Sequence, residues 1–116
     1  MIRKADERIT TKPEHRFGAP GFITIHQLTN SPEELNQKGR ALNHITVLPG
    51  NGIGYHEHHG DSEIYYILSG KGEYSDNGEI TTVEAGDVTL CPDGEGHSLM
   101  AVGDEPLELI ALILYE

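Results

Sequence analysis

A chain of 116 residues is long enough to build one packed core and too short for two. Eight Lys and Arg against 19 Asp and Glu leave a net charge of -11 with His neutral, which excludes the basic patch that nucleic acid or an anionic membrane requires. Cys91 is the only cysteine, so no internal disulfide forms, and no run approaches the ~20 apolar residues of a membrane helix.

The start of the chain turns charged at Arg3-Lys4 and never enters the apolar run of a secretory leader, so a cytoplasmic location is expected. Residues 1–20 are polar and lack a period; they read as an N-terminal arm. Residues 22–28 alternate and suit a first strand. Ser31-Pro32-Glu33-Glu34-Leu35 carries an N-cap residue, a proline at the first helical position and a glutamate placed for a capping box, with Gly39 to end the turn. A short helix and a polar loop both fit that segment.

From residue 41 the pattern is short strands and tight turns. Strands are predicted over 41–48, 53–58, 63–68, 80–83, 88–91, 97–102 and 107–114. Between them stand Pro49-Gly50-Asn51-Gly52, His59-Gly60-Asp61-Ser62, Asp76-Asn77-Gly78 and Pro92-Asp93-Gly94-Glu95-Gly96. Asn77-Gly78 is a hairpin signal, because a type I′ turn needs positive φ at both central residues. Even spacing of short strands predicts an all-β domain over 1–116, with 41–116 as the barrel core. A jelly roll (double-stranded β-helix) is the economical form, since it protects strand edges.

The stretch from His56 to Glu63 carries the chemistry. Residues two apart on a strand share a face, so His56 and His58 point together and Glu57 points away. A four-residue loop then returns the chain, and Glu63 comes across from His58. His97 follows the Pro92–Gly96 turn and can enter the same lumen. An His-x-His pair alone is equally a solvated strand edge; Glu63 and His97, each beside a turn that aims it inward, tip the reading to a metal site. Three imidazoles and a carboxylate suit one divalent transition ion (Zn, Mn, Fe, Co, Ni or Cu) rather than Ca or Mg, and leave one or two positions open.

These segments resemble the two motifs of the cupin superfamily. Gly50, five residues, His56-Glu57-His58, four residues, Glu63, six residues and Gly70 match the first. Gly86, five residues, Pro92-Asp93-Gly94, two residues and His97 match the second. The short spacer between them is similar to that of compact single-domain microbial cupins. One departure is Ala101, where the second motif often carries Asn. The resemblance implies the jelly-roll barrel, the same four ligands and, from the habit of small cupins, a homodimer. It does not choose a reaction, because cupins include dioxygenases, decarboxylases, isomerases and binding domains.

Alternation describes the pocket further. Tyr65 and Ile67 share the face of Glu63, and Leu99 and Ala101 that of His97. On residues 41–48, Leu42, His44, Thr46 and Leu48 form one face and Asn43, Ile45 and Val47 the other; the lumen side is left open. Tyr65 is a candidate to orient substrate, and His44 a candidate base. His59 has the wrong parity for a ligand. Cys91 reads as a small buried apolar residue, and Met100 as packing opposite His97. The expected pocket is mostly apolar, with few candidate cations unless the arm contributes Arg8 or Arg16. These features predict a metal-dependent oxygenase, decarboxylase or isomerase for a small oxygen-rich or carboxylate-bearing molecule. The alternative is a small-molecule binding or sensor module without catalysis, and a third is a metal that only staples the barrel.

Overall fold

The computed structural model describes residues 1–116 and contains ten strands. They are β1 Thr10–Thr11, β2 Ile23–Gln27, β3 Gly39–Val47, β4 Gly52–Glu57, β5 Asp61–Ser69, β6 Lys71–Asp76, β7 Glu79–Glu84, β8 Val88–Cys91, β9 Gly96–Val102 and β10 Leu107–Tyr115. All pairings are antiparallel. One sheet has the order β1-β2-β3-β10-β5-β8 and the other β4-β9-β6-β7. The expected all-β double-stranded β-helix is the observed architecture. No helix is long and apolar enough to cross a membrane.

The core lies between the sheets and is filled by alternate residues of the central strands. Ile45 and Val47 of β3, Tyr65 and Ile67 of β5, Leu99 and Ala101 of β9, and Leu107, Leu109 and Ala111 of β10 are all buried. Each large apolar side chain so buried contributes roughly 1.5–3 kcal/mol of transfer free energy. This places Asn43, Ile45 and Val47 on the lumen side of β3, and Leu42, His44 and Thr46 on the outside.

Asn77 (φ 53°) and Gly78 (φ 97°) form the expected hairpin turn between β6 and β7. The 31–39 segment differs from a capped helix. It is a single 3-10 turn, Pro32–Leu35, and Ser31 makes no side-chain cap. Glu34 instead binds Arg3 (2.7 Å) and the Asn30 N–H (2.7 Å), tying the start of the arm to this turn. Asn36 and Gln37, both left-handed, end the turn, and Gly39 already belongs to β3.

The outer face of the six-stranded sheet is apolar along two rows. Leu42, Leu112, Ile64 and Leu90 lie side by side across β3-β10-β5-β8, and His44, Ile110, Tyr66 and Val88 form the next row. Tyr66, Leu68, Val88 and Leu90 are 47%, 41%, 58% and 64% exposed.

Candidate metal centre

His56 owes its orientation to an irregularity in β4. Ile53 pairs with Leu99 and His56 with His97, so three steps on β4 oppose two on β9. The extra residue is a β-bulge, which re-aims side chains at the strand end. Ile53 and His56 can therefore both face inward although they are three apart, while Tyr55 turns out over Gly96, where a Cβ would collide with its ring. His58 lies one residue beyond β4, held by its N–H to Glu95 O (2.9 Å) and its carbonyl to Gly94 N–H (2.6 Å). Glu63 sits on β5 opposite Cys91 of β8, and His97 is the second residue of β9.

These four side chains converge. The Nε2 atoms of His56 and His97 are 3.0 Å apart, and those of His58 and His97 3.1 Å. Glu63 Oε1 lies 3.0 Å from His97 Nε2, 3.2 Å from His58 Nε2 and 3.7 Å from His56 Nε2. His97 is fully buried and the other three nearly so.

Each imidazole is oriented from behind. His56 Nδ1–H donates to Gly54 O (2.8 Å) and His58 Nδ1–H to the Asp61 carboxylate (2.7 Å). In the same tautomer His97 Nδ1–H donates to the Tyr74 hydroxyl oxygen (2.8 Å). All three Nε2 lone pairs are then left facing one another and a carboxylate oxygen. That arrangement is repulsive on its own and is satisfied by a cation. Donors bonded to a metal at about 2.1 Å with right angles between them sit roughly 3 Å apart, so the spacing fits as well as the chemistry. Such partners behind the imidazoles fix their tautomer and strengthen them as ligands.

Burial pushes the Glu63 carboxyl up; in the metal-free protein, imidazoles of His56, His58 and His97 that carry a proton on Nε2 instead donate to it, outweigh burial and hold the group well below the usual carboxylate range. Burial lowers His97, against the opposing pull of Glu63, and so favours the neutral ligating form. Tyr65 stacks on the His97 ring (centroids 4.9 Å, 17° between planes). Burial, reinforced by the Glu63 charge, holds its hydroxyl well above the ordinary value. Burial and the same carboxylate raise the Cys91 thiol to about 11, so Cys91 is an inert buried residue, as expected.

A cavity of about 330 Å³ opens beside the cluster, with Tyr65, Ile45 and Ile53 among its apolar lining residues. Its polar lining is richer than the sequence indicated: Arg16, Arg40, Asn43 and Glu57 all border it. Arg16 arrives because the arm folds back across β4, and Arg40 because β3 starts earlier than predicted. Arg40 forms an ion pair with Asp61, which already holds His58.

All four expected ligands are thus brought together, and Tyr65 with them. His44 is not. It lies on the outer face of β3, tilted against His26, with Nε2 3.3 Å from Glu108, whose carboxylate also accepts from Thr46. Alternation left two faces open on this strand, and the apolar Ile45 and Val47 took the lumen. His59 borders the cavity but stays exposed and outside the cluster. Asp61 and Tyr74 were missed. Asp61 was read as a loop residue, whereas β5 begins there; His-x-x-Asp, three residues apart across a tight bend, was the available signal. Tyr74 lies far from any ligand in sequence and had no local signal.

A two-sheet antiparallel barrel with an interior cluster of three imidazoles and one carboxylate defines the class: a jelly-roll protein whose site could hold one metal ion. The chain belongs to the cupin family, whose cupin-domain model matches residues 43–113. It is 34% identical over 114 residues to the oxalate-binding protein of Thermotoga maritima, covering 98% of this chain and 93% of that one. A crystal structure from the same organism, described as a predicted oxalate decarboxylase, superposes with a TM-score of 0.94 at 34% identity over 100% of both chains. A cupin 2 conserved barrel protein from Rhodopseudomonas palustris shares the fold, with TM-score 0.73 and 18% identity over 92% of this chain and 71% of that one.

Proposed function

We propose that this protein is a metal-dependent binder of small carboxylates, with oxalate as the candidate ligand. The observation that carries the reading is a preorganised cluster of three histidines and one glutamate that opens into a cavity bordered by Arg16 and Arg40. A divalent transition metal (Zn, Mn, Fe, Co, Ni or Cu) held by His56, His58, Glu63 and His97 would supply positive charge and free coordination positions for an anionic oxygen. The likeness to a Thermotoga maritima protein named for oxalate binding supports the ligand class.

The chain's own groups do the remaining work. Asp61, Tyr74 and the Gly54 carbonyl fix the three imidazoles, so binding requires little rearrangement. Tyr65, Ile45 and Ile53 exclude water from one side, which strengthens charge–charge attraction inside. The Tyr65 hydroxyl keeps its proton at neutral pH and serves as a hydrogen-bond donor, not as an acid.

Decarboxylation is the second reading, favoured by the likeness to the structure described as a predicted oxalate decarboxylase. It requires a proton at the carbon that loses carbon dioxide, giving formate. Glu57, at the exposed rim of the cavity, is the wall carboxylate outside the ligand set and the His58–Asp61–Arg40 chain.

The test is calorimetric titration of oxalate into the metal-loaded protein, into chelator-treated protein and into His97→Ala, with formate and carbon dioxide assayed in parallel. Binding that needs both the metal and His97, without product, is the expected result. Stoichiometric formate would move the assignment to decarboxylase, and no binding to the loaded wild type would overturn both. We further propose that the working form is a homodimer, on the strength of the apolar outer sheet face.

A further inference from the structure

We propose that Arg16 selects dicarboxylates over monocarboxylates at this site, an inference that rests on the carboxylate-binding reading above. Of the two arginines bordering the cavity, Arg40 is committed to Asp61. Arg16 makes no hydrogen bond or ion pair with any other side chain. Its guanidinium carbon instead lies 5.1 Å from the centroid of the Phe17 ring. That ring stacks on the metal-ligating imidazole of His56, with centroids 4.1 Å apart and planes 14° from parallel. An uncommitted cation is thus held through one aromatic ring beside the metal cluster.

The arm is built to keep it there. His15 (φ 50°) and Phe17 (φ 52°) are both left-handed, a conformation that bulky residues adopt only when the surroundings impose it. Phe17 is half exposed, so burial of its ring does not explain the conformation. The turn is closed by Gly18 N–H to His15 O (2.9 Å), by His15 Nδ1 against Ala19 O (3.1 Å) and by the buried Ala19. On the barrel side, Gly54 makes room: a Cβ there would collide with the Phe17 carbonyl. The same Gly54 carbonyl orients His56. One glycine in the β4 bulge therefore positions both the ligand and the arm that carries Arg16.

The uncommitted guanidinium defines the ligand. A divalent ion with Glu63 leaves about one net positive charge, and Arg40 and Asp61 cancel. Arg16 and Glu57 both border the cavity at its exposed rim. A second carboxylate on the ligand is the partner that Arg16 lacks. One carboxylate would take the metal's open positions, and the second would accept paired N–H bonds from the planar Arg16 guanidinium. A monocarboxylate leaves Arg16 without a partner. A cavity of about 330 Å³ lies at the small end of ligand pockets, which suits short acids.

The experiment titrates oxalate, malonate and acetate into wild type and Arg16→Gln. Each protein is loaded to one equivalent with Mn²⁺ or Zn²⁺, whichever elemental analysis of the purified protein favours. Wild type is expected to bind the better dicarboxylate at least tenfold more tightly than acetate. Arg16→Gln should lose tenfold or more of that affinity, with a much smaller loss for acetate and metal content unchanged, and Arg16→Lys should recover part of it. Equal affinities in wild type and Arg16→Gln, or an equal loss for acetate, would overturn the role of Arg16 while leaving carboxylate binding intact. Failure of fully loaded wild type to bind any of the three acids would instead remove the underlying reading.

Discussion

Asp61 joins Arg40, on one oxygen, to His58, on the other, and through His58 to the ligand cluster. Replacing it by Asn keeps the shape but weakens the acceptor behind His58 Nδ1. Metal affinity measured by chelator competition should fall roughly 10–100-fold, the usual effect of losing such a partner. Tyr74→Phe removes the partner of His97 and should act in the same direction. Titration follows from the same residues. His97 and Glu63 both have folded values below their ordinary 6.5 and 4.5. Each therefore binds a proton more readily in the unfolded chain. The stability they contribute is present above those ordinary values and is lost as pH falls through the folded ones. Urea midpoints of the metal-free protein should decline from pH 7 towards pH 4. In His97→Phe the part of that decline just below pH 6.5 should be missing.

At the scale of elements, the β4 bulge decides whether a strand and the arm can share one surface. Gly54→Val places a branched side chain where the Phe17 carbonyl now lies. The arm is expected to lift while the barrel, paired elsewhere, stays folded. Trypsin should then cut after Arg16 in Gly54→Val faster than in wild type, at unchanged far-ultraviolet circular dichroism. Equal cleavage rates would mean that the arm is held by its own turn and not by the fit to β4. The bulge also marks a limit of sequence reading. Strict alternation places Ile53 and His56 on opposite faces, and only the pairing with Leu99 and His97 shows that an extra residue intervenes. By contrast, alternation correctly placed Tyr65, Ile67, Leu99 and Ala101, because β5 and β9 run unbroken through those residues.

At the scale of the molecule, the proposed metal and the proposed dimer would each add stability. Metal at a thousandfold excess over its dissociation constant stabilises the folded state by about 4 kcal/mol. Chelation should therefore lower Tm by roughly 10 °C or more. The outer face of β10-β5-β8 exposes Tyr66, Leu68, Val88 and Leu90 beside Ile64, Ile110 and Leu112. An apolar patch of this kind is a candidate surface for a second copy of the chain. Light scattering should give twice the chain mass, and Leu90→Glu with Val88→Lys should give the monomer with metal binding retained. A wild-type monomer at high concentration would contradict the dimer.

The linear order of residues was sufficient for most of the strands, though not for β1 or β6, for the hairpin at Asn77-Gly78 and for the four candidate ligands. Each of these depends on short-range geometry: period-two alternation, turn chemistry and two compact motifs. The lumen side of β3, the Tyr74 partner of His97 and the stacking of Phe17 on His56 were decided only by the folded chain. Those contacts join residues far apart along the chain, and local pattern carries no information about them. Arg16 shows the difference most clearly: in sequence it is one cation in a polar arm, and only the return of that arm across Gly54 places it beside the metal cluster.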